Sequence, residues 1–286
     1  MKAATTSLYT YLKQHPDIFM TNVKEPMFFN NLNKKKDYIL KGSKRKKITS
    51  FDEYYSLFKE VTTEKAIGEA SPAYIYDKDC PELIKKYLPN TKIIAILRQP
   101  TERAYSNYLH VKRSGRETID NFEDAFKAEE LREKENWSPL YYYKSKGLYF
   151  QQLSRYYQIF PKKNIKIILF RDLINDPQNI TKEVMKFLNI DSSFSPNTTN
   201  KANMSGIPKG LFGWLLMKFR YYNLIPNIEF NKYLPNFILN IIFSLVYSKP
   251  QKIDAKLCKK LTEKHYREDI LKLEKLTDKN LQHWLF

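Results

Sequence analysis

The stretch Ile93-Ile94-Ala95-Ile96-Leu97-Arg98-Gln99-Pro100 decides how this chain folds. A continuous apolar run bounded by turn residues is typical of a parallel strand that is covered on both faces, and it predicts a strand at Lys92–Leu97. Pro100 is placed to open the next helix, which we predict over Thr101–Ser114. Arg98 should therefore lie where the strand turns into a helix, the position at which such sheets bind ligands.

The same alternation of strand and helix extends outward from this stretch in both directions. A second apolar run predicts a buried strand at Ile165–Phe170, and Ile18–Val23 and Ala66–Glu69 are weaker strand candidates. Further helices are predicted at Thr6–Gln14, Phe51–Lys59, Lys78–Tyr87, Phe122–Lys134, Leu148–Phe160 and Pro177–Leu188. Strands alternating with helices indicate an α/β fold with a doubly wound parallel sheet that is flanked by helices.

The last third of the chain has a helical pattern instead. Apolar residues from Leu257 to Leu273 recur at helical spacing. The apolar segments Leu211–Phe219 and Phe237–Tyr247 are each shorter than the ~20 residues that cross a bilayer, so we predict core helices, with a shallow membrane contact as the alternative. The 286 residues then form a single domain, with an α/β core at 1–200 and a helical C-terminal extension within 201–286.

The formal net charge of +18 implies an anionic partner, such as nucleic acid, an acidic glycan, an anionic lipid or a phosphorylated cofactor. Eight Lys and Arg residues fall within positions 34–47 against the single acid Asp37. This run is either a solvated loop or a surface that faces the substrate. A basic nucleic-acid-binding protein without catalysis is therefore the alternative function, although no specific nucleic-acid-binding motif is recognisable.

Composition narrows the class of protein further. A hydrophobic fraction of 42% excludes general disorder. The two cysteines, Cys80 and Cys258, imply no disulfide framework, and the scattered histidines suggest no metal site. The first residues are polar and mixed, unlike a signal peptide. We expect a cytoplasmic location, with attachment to a membrane surface as the alternative.

Two segments have the residue types that bind a phosphate group. Arg98 offers a guanidinium at the strand end, and Ser106 offers a hydroxyl about two turns into the following helix, although Arg98 could instead pair with Glu102 or Glu69. The segment Lys2-Ala3-Ala4-Thr5-Thr6-Ser7 combines small residues with hydroxyls at a helix N-terminus, where an anion is favoured. Here the alternative is an ordinary capped helix.

Taken together, these segments resemble the sulfotransferases that use 3′-phosphoadenosine 5′-phosphosulfate (PAPS), in their bacterial and Golgi-type, heparan-sulfotransferase-like carbohydrate branch. In that family one strand runs into Lys-x-Gly/Ala-Thr-Thr/Ser and another into Leu-Arg-x-Pro-x-x-Arg-Ala-x-Ser, which this chain matches at Lys2–Thr6 and at Leu97–Ser106. Further matches follow in the family's order at His15-Pro16-Asp17, Lys24-Glu25-Pro26-Met27-Phe28-Phe29, Gly68-Glu69-Ala70-Ser71-Pro72-Ala73-Tyr74, Gly147-Leu148-Tyr149 and Phe170-Arg171-Asp172-Leu173.

The resemblance implies a P-loop-like sheet, PAPS as the sulfuryl donor, adenosine 3′,5′-bisphosphate as the product, and no metal. It implies that Lys2 is catalytic and contacts the bridging oxygen and the transferred group. It places Arg98 and Ser106 on the 3′-phosphate of the donor. The residues implied at the 5′-phosphosulfate are Lys2, Ala3, Ala4, Thr5, Thr6 and Ser7.

The resemblance also suggests a general base. Glu25 matches the base of the glycosaminoglycan-type members, and its alternative is a surface carboxylate that pairs with Lys24. Glu69 is the second candidate for the base. His110 follows the phosphate-binding helix, and we interpret it as a structural polar residue.

The acceptor is implied only by class. A glycan or a glycolipid is expected, with aromatic faces at Tyr149 and at positions 141–143 as candidate cleft residues, or else as ordinary packed residues. A segment at 201–209 lies where the family closes over the donor, so Ser205 and Lys209 are candidate donor contacts. The acceptor's identity and the oligomeric state are left open.

Two departures from the family pattern matter. Glycosaminoglycan enzymes usually carry Lys where this chain has Ala70, which argues against a heparan-like acceptor. In the family a first central strand runs directly into the position of Lys2, and no such strand precedes Met1. The expectation is therefore that the first central strand is missing, and that a longer form would be more stable because its strand edges would be paired.

Overall fold

Two pairs of parallel strands form the centre of the α/β part of the computed structural model. Strand β1 (Ile18–Met20) pairs with β2 (Ala66–Gly68), with Ile18 opposite Ala66. Strand β3 (Ile93–Leu97) pairs with β4 (Ile165–Leu169), with Ile93 opposite Ile165. The structure describes residues 2–32, 47–199, 207–210, 213, 215, 218–219, 247–248 and 252–285.

Helices connect these strands, as the alternating pattern predicts. The helices up to residue 200 are α1 (Thr5–Leu12), α2 (Phe28–Asn31), α3 (Phe51–Ser56), α4 (Cys80–Tyr87), α5 (Pro100–Arg113), α6 (Phe122–Lys127), α7 (Glu129–Lys134), α8 (Tyr149–Ile159), α9 (Phe170–Asn175) and α10 (Pro177–Leu188). The C-terminal helices are α11 (Ala255–His265) and α12 (Arg267–Thr277). The α/β class, the four strands of these ladders and the helical C-terminal region are therefore confirmed.

The expected single sheet is not seen among the described residues. There, β1–β2 and β3–β4 are separate two-stranded ladders, and a third ladder pairs β5 (Ile207–Pro208) with β6 (Tyr247–Ser248) in the antiparallel sense. Tyr247, which we predicted to end a core helix, lies in β6. The remainder of Phe237–Tyr247, most of Leu211–Phe219 and nearly all of the basic run at 34–47 lie outside the described residues.

Some helix and strand boundaries also differ from the predictions. The helix predicted at Phe122–Lys134 is two helices, α6 and α7, which meet at Ala128. The break between the helices lies beside a tertiary contact, in which the buried Glu129 carboxylate accepts hydrogen bonds from the backbone N–H groups of Lys144 and Ser145. The strand predicted to end at Phe170 ends at Leu169, and Phe170 begins α9.

The hydrophobic core has two parts that lie on the two sides of the strands. The smaller part packs α1 and α10 against β1 and includes Leu8, Ile18 and Val184. The larger part contains α5, α8, α11 and α12. Gly147 lies within it, where a Cβ atom would come within 2.7 Å of the Tyr266 ring and 3.0 Å of Pro100, so the close packing requires a glycine. The C-terminal helices thus pack onto the helix that follows β3.

Candidate active site

The loop before α1 has the backbone shape of an anion-binding site. Lys2 (φ 66°) and Ala4 (φ 58°) are both left-handed, although neither is a glycine. The Ala4 carbonyl accepts the N–H of Ser7 at 3.0 Å, and no described side chain caps the first turn of the helix. The N–H groups that open a helix lack partners within it, and the helix dipole favours a negative charge there. The start of α1 can therefore hold an anion.

Three cations converge on this loop. Burial, followed by repulsion from the guanidinium groups of Arg113 and Arg98, lowers the pKa of Lys2 from 10.5 to about 8, against a smaller opposing effect of Glu25. Like charges held near one another repel, and a bound anion relieves this repulsion. The charges of these side chains and the shape of the backbone therefore indicate the same kind of ligand, a multiply charged anion.

Arg98 lies at the end of β3, as its place in the sequence predicts. Its Nε and Nη2 atoms lie 3.1 and 3.0 Å from Oε2 of Glu102, and its guanidinium stacks on the Phe170 ring at 4.7 Å. The alternative reading, a pair with Glu102, is thus present in the structure. Because this pair is partly exposed, it contributes little free energy and can give way to a phosphate. Tyr149 Oη donates to the Arg98 carbonyl at 2.9 Å and fixes the backbone at this position.

Glu25 lies in the loop that follows β1. Its carboxylate forms an ion pair of 2.7 Å with Lys24, which is the pair that we gave as its alternative role, and both side chains are mostly buried. Glu25 also acts on the site, because its charge raises the proton affinity of Lys2. The backbone of Glu25 has the left-handed conformation, with φ at 58°. The structure therefore brings this carboxylate close to the loop of Lys2.

One face of α5 carries two residues, His110 and Arg113, whose charges interact with Lys2, and the sequence predictions did not assign either of them to the site. Ser106, His110 and Arg113 are spaced i, i+4 and i+7, so they share one face of α5. His110 Nδ1 lies 3.3 Å from Arg113 Nη2. Burial, with the charges of Lys2, Arg113 and Arg116, lowers the pKa of His110 from 6.5 to about 4. Arg113 was missed, and its spacing from Ser106 was the signal that could have identified it.

The cluster of tyrosines at 141–143 does not line a cleft. Tyr141 and Tyr143 are fully buried, and Tyr142 is 7% exposed. Tyr141 and Tyr143 pack against Arg132, whose two terminal nitrogens contact the Glu117 carboxylate at 2.8 and 2.9 Å, and Tyr142 Oη donates to the Trp137 carbonyl. Their reading as acceptor-binding residues is therefore wrong, and their role is structural.

The other predicted residues lie as follows. Tyr149 is 4% exposed, and together with Ala3 it lines a cavity of about 30 Å³ beneath the loop before α1. Arg103 lines the same cavity, and its Nε and Nη1 atoms are buried without a hydrogen-bond partner among the described residues. Lys209 is exposed, and Ser205 lies outside the described residues. The cavity therefore borders the loop before α1 on its buried side.

The described part of the chain contains neither a candidate metal site nor a candidate membrane-spanning helix. There, no group of three or more His, Cys, Asp or Glu side chains could hold a metal ion. No helix in the same ranges is both long and apolar enough to cross a membrane.

Comparison with known proteins agrees with this geometry. The family model described as the sulfotransferase domain matches residues 1–208. The chain is 24% identical to the membrane-associated sulfotransferase kil1 of Dictyostelium discoideum, over 67% of this chain and 55% of that protein. It is 30% identical to heparan sulfate glucosamine 3-O-sulfotransferase 5 of Mus musculus, over 68% of this chain and 52% of that protein.

A human relative and a solved structure extend the comparison. The chain is 29% identical to bifunctional heparan sulfate N-deacetylase/N-sulfotransferase 3 of Homo sapiens, over 66% of this chain and 21% of that protein. The chain thus spans about half or less of the length of these curated relatives. The crystal structure of a sulfotransferase from Alicyclobacillus acidocaldarius superposes with a TM-score of 0.76 at 28% identity, covering 99% of this chain and 94% of the other.

Proposed function

The chain belongs to the sulfotransferase domain family, and from this premise we propose that it transfers a sulfuryl group from PAPS to a hydroxyl or amine of a glycan acceptor. The observation that carries the proposal is the convergence of Lys2, Arg98 and Arg113 on the uncapped start of α1. A site with this much positive charge and a helix start without a side-chain cap fits a nucleotide that carries phosphate at two positions.

The site residues divide between the two ends of this donor. We assign Lys2, with Ala3 to Ser7, to the 5′-phosphosulfate, which the first turn of α1 can bind through its N–H groups. We assign Arg98 and Ser106 to the 3′-phosphate, because they lie at the end of β3 and two turns into α5. Ser205 and Lys209 remain proposed contacts of the segment that closes over the donor.

The transfer resembles phosphoryl transfer, so positioning and charge neutralisation supply most of the catalysis. The acceptor oxygen or nitrogen forms a bond to sulfur while the bond from sulfur to the bridging oxygen breaks, and the leaving phosphate keeps the electron pair. Lys2 neutralises the charge that builds on the bridging oxygen. Glu25 accepts the proton that the acceptor loses.

The acceptor class follows from the relatives. Several of them are named for heparan sulfate, which supports a glycan acceptor. Ala70 stands where glycosaminoglycan enzymes usually carry Lys, so we propose a glycan other than heparan, or a glycolipid. One relative is named as membrane-associated. We therefore propose that this protein is a cytoplasmic enzyme that works at a membrane surface.

We also propose one domain, 1–286, whose two parallel ladders belong to a single P-loop-like sheet, with a further parallel strand between β2 and β3. Three observations support the further strand. Ile67 of β2 is 55% exposed, and four apolar side chains of β3 are only partly buried. The cavity is lined by residues that follow β2 and by the end of β3, and Arg103, which also lines it, has two buried N–H groups without an acceptor among the described residues. Backbone carbonyls of a strand would supply those acceptors.

Thermal unfolding tests the strand proposal. A form of the protein that carries ~10–15 further residues before Met1, enough for a strand of ordinary length and its lead-in, should unfold at a higher temperature. Equal melting temperatures for the two forms would contradict it.

The enzyme proposal is tested by incubating the protein with sulfur-labelled PAPS and a panel of acceptors that contains glycans, glycolipids and simple phenols. Label should move to a glycan or glycolipid, and the Lys2→Met variant should transfer none. Absence of transfer to every acceptor, together with failure of adenosine 3′,5′-bisphosphate to raise the melting temperature, would refute the proposal. Tight, salt-dependent binding of oligonucleotides in its place would favour the nucleic-acid-binding alternative.

A further inference from the structure

The loop that carries Glu25 is tied to a second carboxylate by a chain of hydrogen bonds. The N–H of Met27 donates to Ser71 Oγ at 3.0 Å, and the Ser71 hydroxyl donates to Glu69 Oε2 at 2.7 Å. The Tyr74 hydroxyl donates to the other oxygen, Glu69 Oε1, at 2.5 Å. Each donor in this series of hydrogen bonds has an acceptor, so the side chains of the segment after β2 hold the loop after β1.

The held loop is strained. Glu25 (φ 58°) and Met27 (φ 54°) are both left-handed, and each is a residue type for which this conformation costs about 1–2 kcal/mol. Such a conformation persists only where the surroundings impose it. Ser71 Oγ accepts the N–H of Met27, which is the second strained residue and directly precedes the buried rings of Phe28 and Phe29. Loss of this bond should therefore let the Glu25 carboxylate move.

We propose that Glu69 and Ser71 are positioning residues, which hold the strained loop so that the Glu25 carboxylate faces the reacting centre beside Lys2. The inference rests on the proposed function, in which Glu25 accepts the acceptor's proton.

Glu69 itself is poorly suited to be the base, although its position in the sequence made it a candidate. Both of its oxygens already accept a hydroxyl hydrogen bond, one from Ser71 and one from Tyr74. The charge of Glu25, by contrast, raises the pKa of Lys2, so Glu25 is the carboxylate that interacts with the catalytic lysine. Glu69 therefore stabilises the loop, and Glu25 faces the site.

Kinetics of the full chain can test this division of roles. The variant Ser71→Ala should lower kcat roughly 10- to 100-fold, the size expected when a catalytic group is misplaced by about 1 Å. Its affinity for adenosine 3′,5′-bisphosphate should stay within about twofold of wild type, because the donor-binding residues are untouched. Ser71→Thr keeps the hydroxyl and should recover most of kcat.

Two further carboxylate variants separate the base from its support. Glu25→Gln should abolish turnover, because the amide cannot accept the proton. Glu69→Gln keeps an oxygen that can accept a hydrogen bond from Ser71, and it should retain more activity than Ser71→Ala. If Glu69→Gln is as inactive as Glu25→Gln while Ser71→Ala is fully active, Glu69 is the base and the inference is overturned.

A matched control guards against a general loss of stability. Ser138 is buried to the same degree as Ser71, at 8% against 9% exposed, and its Oγ accepts the Leu140 N–H at 3.3 Å. Ser138→Ala should keep the wild-type kcat even if it melts earlier. If Ser71→Ala does not fold, Tyr74→Phe removes the other hydrogen bond to Glu69 and should also lower kcat.

The outcomes distinguish the inference from the function on which it rests. If the wild-type protein transfers no label to any acceptor, the proposed function fails. If it does transfer label, and both Ser71→Ala and Tyr74→Phe have the wild-type kcat, only the positioning inference fails.

Discussion

Replacement of Arg98 by alanine tests the assignment of the 3′-phosphate. In the free protein this guanidinium pairs with Glu102 at 3.0 Å. A hydrogen bond to a charged group contributes about 1.5–3 kcal/mol, whereas a partly exposed i,i+4 ion pair such as this one contributes only about 0.3–0.5 kcal/mol. The net loss on binding is therefore about 1–2.5 kcal/mol. Adenosine 3′,5′-bisphosphate should bind about 5- to 70-fold more weakly to Arg98→Ala.

Isothermal titration calorimetry measures this change directly, and thermal shifts provide a second readout. A ligand at 100 times its Kd stabilises a protein by about 2.7 kcal/mol, so a tenfold weaker Kd removes about half of that stabilisation. Adenosine 5′-phosphosulfate lacks the 3′-phosphate, and its affinity should change by less than about twofold. The comparison of the two ligands isolates the phosphate that Arg98 is assigned to bind.

Arg267→Ala is the matched control, because Arg267 also forms an i,i+4 pair with a glutamate, at 2.8 Å from Glu263 on the C-terminal helices. It should bind both ligands with wild-type affinity. Arg98→Ala also loses its contact with Phe170, so ligand-induced shifts must be measured relative to each free variant. An unchanged affinity for the bisphosphate, or an equal loss for the ligand without a 3′-phosphate, would refute the assignment of Arg98.

Three further predictions concern the pH dependence of binding and the packing. A bound anion favours protonated Lys2, whose pKa is about 8 in the free protein, so the affinity for the bisphosphate should fall by up to about tenfold per pH unit as the pH rises above 8. Calorimetry of Lys2→Met should show no such pH dependence. A steep loss of affinity in this variant as the pH rises would contradict the prediction. Gly147→Ala should lower the free energy of unfolding in urea by about 1–3 kcal/mol, because its Cβ would overlap the Tyr266 ring; an unchanged midpoint would show that the ring moves aside. Burial raises the pKa of Asp269 from 3.8 to about 6, although the N–H groups of Phe150 and Gln151 donate hydrogen bonds that oppose the rise. The native protein should therefore lose roughly 2–3 kcal/mol of stability, relative to Asp269→Asn, as the pH rises from about 4 to 6. Parallel stability curves for the two proteins between pH 4 and pH 7 would contradict this prediction.

Much of the α/β architecture could be predicted from local patterns. The apolar run before Arg98 and the proline after it placed a strand and a helix within a residue or two of β3 and α5. Such features depend on neighbours in sequence, which an apolar pattern records. The join between α6 and α7 could not be predicted, because it coincides with the contact from Glu129 to backbone groups that lie about fifteen residues away.

The candidate site was predictable only in part, for the same reason. The motifs around Lys2 and Arg98 identified the donor-binding segments, since each motif is contiguous. Arg113 was missed because its proximity to Lys2 depends on how α5 packs against the loop before α1. Tyr143 was misread because its burial depends on Glu117, whose carboxylate accepts its hydroxyl at 2.6 Å. Residues that act through tertiary contacts leave only weak signals such as i, i+4, i+7 spacing.

The distribution of strained residues gives an independent reason to locate function in these two loops. Seven non-glycine residues in the described chain have positive φ. Three of them are Asn136, Asn189 and Asp278, residue types that tolerate this conformation. The other four are Lys, Ala, Glu and Met residues, for which the conformation is unfavourable, and all four lie in the two loops that hold Lys2 and Glu25. A glycine at these positions would remove the backbone cost, so stability alone does not account for them. Two contributions can offset that cost: binding energy from an anion at the start of α1, and the hydrogen bond that the Met27 N–H donates to Ser71. We therefore expect both loops to be most ordered when the donor nucleotide is bound.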